Sequence, residues 1–212
     1  MNTRIFKLAI MSAILMGATA AHATAPTSEL VVKGALAVPG CTVSAANDGV
    51  YDFGRISASL IKAGTAVTTL PPISQAWTVT CDAQTFLAFN VVDNRASSAS
   101  AAAANNFGLG NVNGTGKLGF YTVTLSSPTV DGKTVSTYST ANTSFTAATT
   151  AILNSGQKHG WATASNNQAS GLVFGANLQV APTLGGTTTM GGPVTDEVPL
   201  DGSLTLNFMF GL

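Results

Sequence analysis

The residue types that could do chemistry are few, and little in their spacing ties them together. Cysteines stand at Cys41 and Cys81, and outside the first 23 residues there is one histidine, His159, in the turn-like run Gly156-Gln-Lys-His-Gly160. Two thiols so far apart and one imidazole fall short of a four-ligand metal site. Serine and aspartate are present, so a Ser/His/Asp triad is open combinatorially. No G-x-S-x-G elbow ties a serine to His159, however, and the histidine reads as a loop residue. Asp196 and Glu197 are adjacent. In a strand they would point to opposite faces, which is wrong for a glycosidase pair. Asp93 and Asp131 are isolated and read as turn residues. The glycine-rich run 108–116 lacks the G-K-[ST] ending of a phosphate cradle, and no helix pattern follows it. The expectation is a non-enzyme with no cofactor and no metal.

Composition narrows the class further. Charged residues make up 8% of the 212, against about 25% in an average soluble domain. Nine basic and nine acidic residues cancel, and so few cations argue against a nucleic-acid binder. Residues 1–23 read as a secretory signal peptide: Arg4 and Lys7 are the positive start, 8–16 an apolar run too short to span a bilayer, and Ala21-His22-Ala23 the cleavage site. Without it the chain keeps seven basic and nine acidic residues, a formal charge of −2. Export favours an oxidising compartment, and two cysteines allow one intramolecular pairing, Cys41–Cys81. Two buried free thiols are the alternative.

The elements that must position these residues are strands. Threonine occurs 29 times, and its branched Cβ suits a pleated surface. Period-two alternation recurs between turn residues over 30–38, 50–54, 76–81, 86–92, 118–125, 130–138, 172–180, 194–200 and 204–210. Residues 57–62 predict one helical turn. The Ala/Ser/Asn/Gly-rich stretch 95–116 predicts a long loop, since its short Ala run cannot nucleate a helix alone. One all-β sandwich is the economical answer.

Several of these stretches resemble the chaperone–usher pilins and fimbrial-like subunits of Gram-negative bacteria. Lys33-Gly-Ala-Leu-Ala-Val-Pro-Gly-Cys-Thr-Val43 is similar to the start of such a subunit, where an alternating extension leads to a Gly and then a Cys followed by an apolar position. Trp77-Thr-Val-Thr-Cys81 resembles the strand that ends at the second Cys. Tyr51-Asp-Phe-Gly54 with Ile56 resembles the Phe-Gly strand between them. The resemblance covers residues 30–92, and the last strand more loosely.

The resemblance implies an immunoglobulin-like β-sandwich of incomplete pilin type, missing its final strand, so that a groove exposes apolar core. A periplasmic chaperone lends a strand, and the N-terminal extension of the next subunit later replaces it. On that implication residues 24–33 are the donor strand, with Ser28, Leu30 and Val32 on the inserting face, and residues 34–212 are the sandwich domain. The C-terminal strand would present Leu204, Leu206, Phe208 and Phe210, and after them Leu212, to the chaperone or the next subunit. The implied partners are the chaperone, an outer-membrane usher and neighbouring fimbrial subunits. The implied destination, reached through the periplasm, is a surface fimbria that supports cell adhesion.

Two other classes remain open. A small outer-membrane barrel also ends on an alternating strand, but it needs about eight strands with aromatic girdles. A secreted carbohydrate-binding sandwich would need an exposed stacking ring, for which Trp161 is the candidate and a core position the alternative. Residues 30–38 could likewise be an ordinary first strand within their own domain.

Overall fold

The computed structural model describes residues 26–36 and 38–211, which fall into two units divided between residues 37 and 38. The expected signal peptide over 1–23, Thr24 and Ala25 of the expected extension, Ala37 and Leu212 lie outside the described residues. In the first unit, residues 26–36 pair with no strand and stand in water. The described residues of the strand expected over 30–38 therefore form no ladder.

The second unit is all-β and antiparallel. β1 (Cys41–Ala45) ends in a tight turn at Ala46–Gly49, where Asn47, Asp48 and Gly49 take φ of 49°, 51° and 77°. Asn, Asp and Gly are the residues that tolerate this left-handed backbone. The helical turn expected near 57–62 is a 3-10 turn, Ala58–Leu60, capped by Ser57, whose hydroxyl accepts from the Ser59 N–H. After β2 (Thr68–Thr69) comes β3 (Ile73–Asp93). The two strands expected at 76–81 and 86–92 are thus one continuous strand. Nothing between them forces a turn: Asp82 accepts from the Gly40 N–H instead of folding back on its own chain.

The expected long loop after β3 is largely structured. It holds a 3-10 turn (Ala96–Ser98), β4 (Phe107–Gly108), β5 (Asn111–Val112) and β6 (Gly116–Lys117). Asp93 accepts from Gly108 N–H, Ser98 accepts from Gly110 N–H, and Lys117 donates to the Ala99 carbonyl. A Cβ at Gly108 would overlap the Arg95 carbonyl, so glycine is required there. The chain continues through β7 (Gly119–Val130), β8 (Lys133–Thr134), β9 (Ser136–Thr140) and β10 (Ala151–Ile152). It ends with β11 (Lys158–Ala164), β12 (Asn167–Gln168), β13 (Ser170–Leu184) and β14 (Leu204–Phe210). Residues 194–200, expected as a strand, form none; Pro193 and Pro199 each lack the N–H a ladder needs.

β3 is long enough to serve two halves of the sheet. Its first half pairs with β1 and β13, and its second half with β11 and β14. The sheet therefore curls, and the two halves enclose a core as the layers of a sandwich do. A chain of rings crosses that core: Phe208 meets Phe89, Phe89 meets Trp161, and Trp161 meets Phe174 edge-on. Cys41 and Cys81 face each other in the β1–β3 register and are joined by a disulfide.

Candidate functional site

The C-terminal strand leaves one edge unpaired. β14 runs antiparallel to β3, from Leu204 opposite Asp93 to Phe210 opposite Leu87, and pairs with no other strand among the described residues. Asn94 N–H donates to the Ser203 carbonyl, and Gly211 N–H to the Phe86 carbonyl. Antiparallel alternation then turns the backbone groups of Leu204, Leu206, Phe208 and Phe210 away from β3. The side chains of Leu204, Leu206 and Phe208 are half-buried against the core, whereas Phe210 is 44% exposed. Phe210 shares the parity of the other three but stands clear of the core near the end of the strand.

Polar contacts hold the start of β14. The Arg95 guanidinium forks onto Asp201, Nε donating at 2.7 Å and Nη2 at 3.2 Å. That pairing holds the Asp201 carboxyl below its ordinary range and raises Arg95. Asp201 N–H donates to the Leu109 carbonyl, and Asn94 reaches the hydroxyls of Ser203 and Thr205. The segment 95–116 thus clamps the strand, a role its composition concealed.

Residues 51–56 form a second edge bordering the same core. They make no backbone-to-backbone hydrogen bond among the described residues, so the strand expected at 50–54 has no partner. Side chains fix the segment instead. Trp77 Nε1 donates to the Tyr51 hydroxyl at 3.0 Å, and that hydroxyl donates to the Leu178 carbonyl at 3.0 Å. Burial pushes the Tyr51 phenol above its ordinary value, and the Trp77 bond opposes that in part. Tyr51, Phe53 and Ile56 pack half-buried on the core. Gly54, at φ 62°, resets the alternation between Phe53 and Ile56.

Between residues 50–61 and 194–200 opens a cavity of about 730 Å³. Leu118, Leu184 and Met190 line its interior with Val194, Val198 and Leu200, and Arg55 pairs with Glu197 at 3.1 Å. A small apolar recess nearby is lined by Trp77, Leu206 and Phe208 among others. The free edge of β14, beside the half-buried Leu204, Leu206 and Phe208, can take an added strand through both ladder hydrogen bonds and side-chain burial.

The extension carries the complementary feature. Leu30 is 85% exposed, Val32 86% and Leu36 107%, and Ser28 is exposed. Leu36 shares the parity of Ser28, Leu30 and Val32, so the apolar row runs beyond Lys33, where the expected donor strand stops. The alternation through Gly34 to Leu36 was the signal that could have found it.

The candidate chemical residues lie elsewhere. His159 is in strand β11 rather than a loop, fully buried, and the neighbouring Gly160 passes Tyr138 too closely for a Cβ. Its Nδ1 lies 2.6 Å from the Ser139 hydroxyl, and its Nε2 lies 3.2 Å from the Asn154 amide nitrogen and 3.3 Å from the Asn154 carbonyl oxygen, accepting or donating according to the tautomer. Burial lowers its pKa to about 4. No carboxylate is among its hydrogen-bond partners in the described residues. Trp161 is 3% exposed and donates to the Gly175 carbonyl, which places it in the core and removes it as a sugar-stacking surface. Asp131 accepts from Leu172 and Val173 N–H at a turn. No group of three His, Cys, Asp or Glu among the described residues could hold a metal ion.

A family model described as a protein of unknown function (DUF1120) matches residues 30–115. The match begins at the apolar extension and takes in the disulfide, the unpaired segment 51–56 and the whole of β3. A search of curated proteins found no match to the chain, and a search of solved structures found none.

Proposed function

We propose that this chain is a structural subunit of a surface fimbria, assembled by donor-strand exchange: its groove is completed first by a periplasmic chaperone and then by the extension of a neighbouring subunit. The observation that carries the reading is the unpaired edge of β14 beside a half-buried apolar row, in a chain whose own extension holds Leu30, Val32 and Leu36 in water. Apolar surface left in water costs about 25 cal/mol per Å², so both features are stabilised when they meet. Export through the periplasm, delivery by an usher and a part in cell adhesion follow from the same reading.

Two double substitutions test it in cells. Leu30→Asp with Val32→Asp removes the donor's apolar face and is expected to stop polymer formation while the subunit still accumulates. Phe208→Ser with Phe210→Ser damages the acceptor and is expected to cause loss of the subunit before assembly. Electron microscopy of sheared surface material and a blot of the periplasm read both outcomes. Normal fibres from the first variant would reject the reading.

A further inference from the structure

The rim of the cavity is charged although its interior is apolar. Asp52 and Arg55 stand on one side, Asp196 and Glu197 on the other, and Arg55 is the one cation among the described residues lining it. The Arg55–Glu197 pair has side chains 90% and 80% exposed. Pairs so exposed contribute about 0–1 kcal/mol, so an incoming carboxylate can displace Glu197 at little cost.

The extension carries two charges between residues 26 and 36, Glu29 and Lys33. In an extended strand that buries Leu30 and Val32, Glu29, Val31 and Lys33 fall on the opposite face, which stays at the rim. A slip by one residue would turn the apolar row outward, so burial forbids it. A slip by two leaves apolar side chains facing in and is only weakly opposed by burial. Charge opposes it: a slip by two takes Glu29 from Arg55 and sets Val31 or Thr27 there, while a slip by four or a reversed strand sets Lys33 against Arg55, where like charges disfavour the wrong register.

Resting on the donor-strand reading above, we propose that Glu29 of a second copy of this chain takes Arg55 from Glu197, with Lys33 among the rim acids, and that this pairing sets the register in which the extension enters the groove. The occupant is thereby a second copy rather than a generic strand, because its two charges complement a rim of one cation and three acids.

The test uses the full mature chain and a dye-labelled peptide spanning residues 26–38, with association followed by fluorescence anisotropy. Arg55→Glu in the chain, or Glu29→Lys in the peptide, is expected to slow association about tenfold. Combining the two reversals is expected to restore it. A peptide with Leu30→Asp and Val32→Asp serves as control and is expected not to bind. If that control binds like the native peptide, the donor-strand reading fails and the register proposal with it. If the control fails to bind while the charge variants associate at the native rate, or the double reversal gives no rescue, only the register proposal is overturned. Both charged residues are exposed, so unchanged thermal unfolding of the Arg55→Glu chain confirms that it folds.

Discussion

The ring of Phe208 lies 5.4 Å from that of Phe89, inclined at 47°. The contact ties the edge strand to the ring chain that continues through Trp161 and Phe174. Phe208→Ala is expected to destabilise the chain by about 3 kcal/mol, read as a lower urea midpoint at unchanged slope. A midpoint within error of the parent would show that β14 is not packed as described.

Tyr51 is the pin of the second edge. Tyr51→Phe keeps the ring but leaves the Trp77 N–H and the Leu178 carbonyl without their partner. Orphaned buried groups of this kind cost about 1–3 kcal/mol. Limited proteolysis should cut residues 50–61 faster in the variant, because side chains rather than a ladder hold that segment. Equal cutting rates would place its anchorage elsewhere.

Acid should weaken the fold through His159. Its folded pKa of about 4 lies below the ordinary 6.5 because burial disfavours the charged ring. The unfolded chain therefore binds the proton first. The contribution is complete above about pH 6.5, is lost as pH falls from 6.5 towards 4, and levels off below that. The gap between the two values corresponds to about 3 kcal/mol. The Asn154 carbonyl, 3.3 Å from Nε2, can accept from the protonated ring and so opposes the effect of burial in part. His159→Gln removes this titration, so the stability difference between parent and variant should shrink from pH 6.5 to pH 4. A difference independent of pH would refute the assignment.

The Cys41–Cys81 bridge closes a loop with a sequence separation of 40. Replacing both cysteines by serine is expected to cost about 4 kcal/mol on the chain-entropy estimate. Denaturant unfolding of the oxidised parent and the double variant measures it. An equal midpoint would mean that β1 is held by its ladder alone.

What was legible in the sequence follows from how local the causes are. The bounds of β14 and the face shared by Leu204, Leu206 and Phe208 were readable from alternation, because one side of the strand faces the core. Asn47-Asp-Gly49 is a turn signal in the sequence, and the structure adds that all three residues take left-handed backbone there. The merger of two expected strands into β3 was not, since Asp82-Ala-Gln-Thr85 looks polar and turn-like until Gly40 occupies the Asp82 carboxylate. Residues 194–200 alternate like a strand, but flanking prolines and the cavity leave them without a ladder. β11 was hidden because Gly156 and Gly160 suggest a turn around His159, whereas Gly160 is there to pass Tyr138. The Arg95–Asp201 fork joins residues 106 positions apart, and no local pattern announces such a pairing.

The central claim is most directly tested by amide hydrogen exchange on β14. The N–H groups of Leu204, Leu206, Phe208 and Phe210 point away from β3 and have no partner among the described residues, so they should exchange quickly while those of Thr205, Asn207 and Met209 are slow. Adding the unlabelled peptide spanning residues 26–38 should protect the first set, as a new strand pairs with that edge, and leave the second set as it was. Fast exchange at Leu204, Leu206, Phe208 and Phe210 that persists at saturating peptide, or protection there before any peptide is added, would contradict the account.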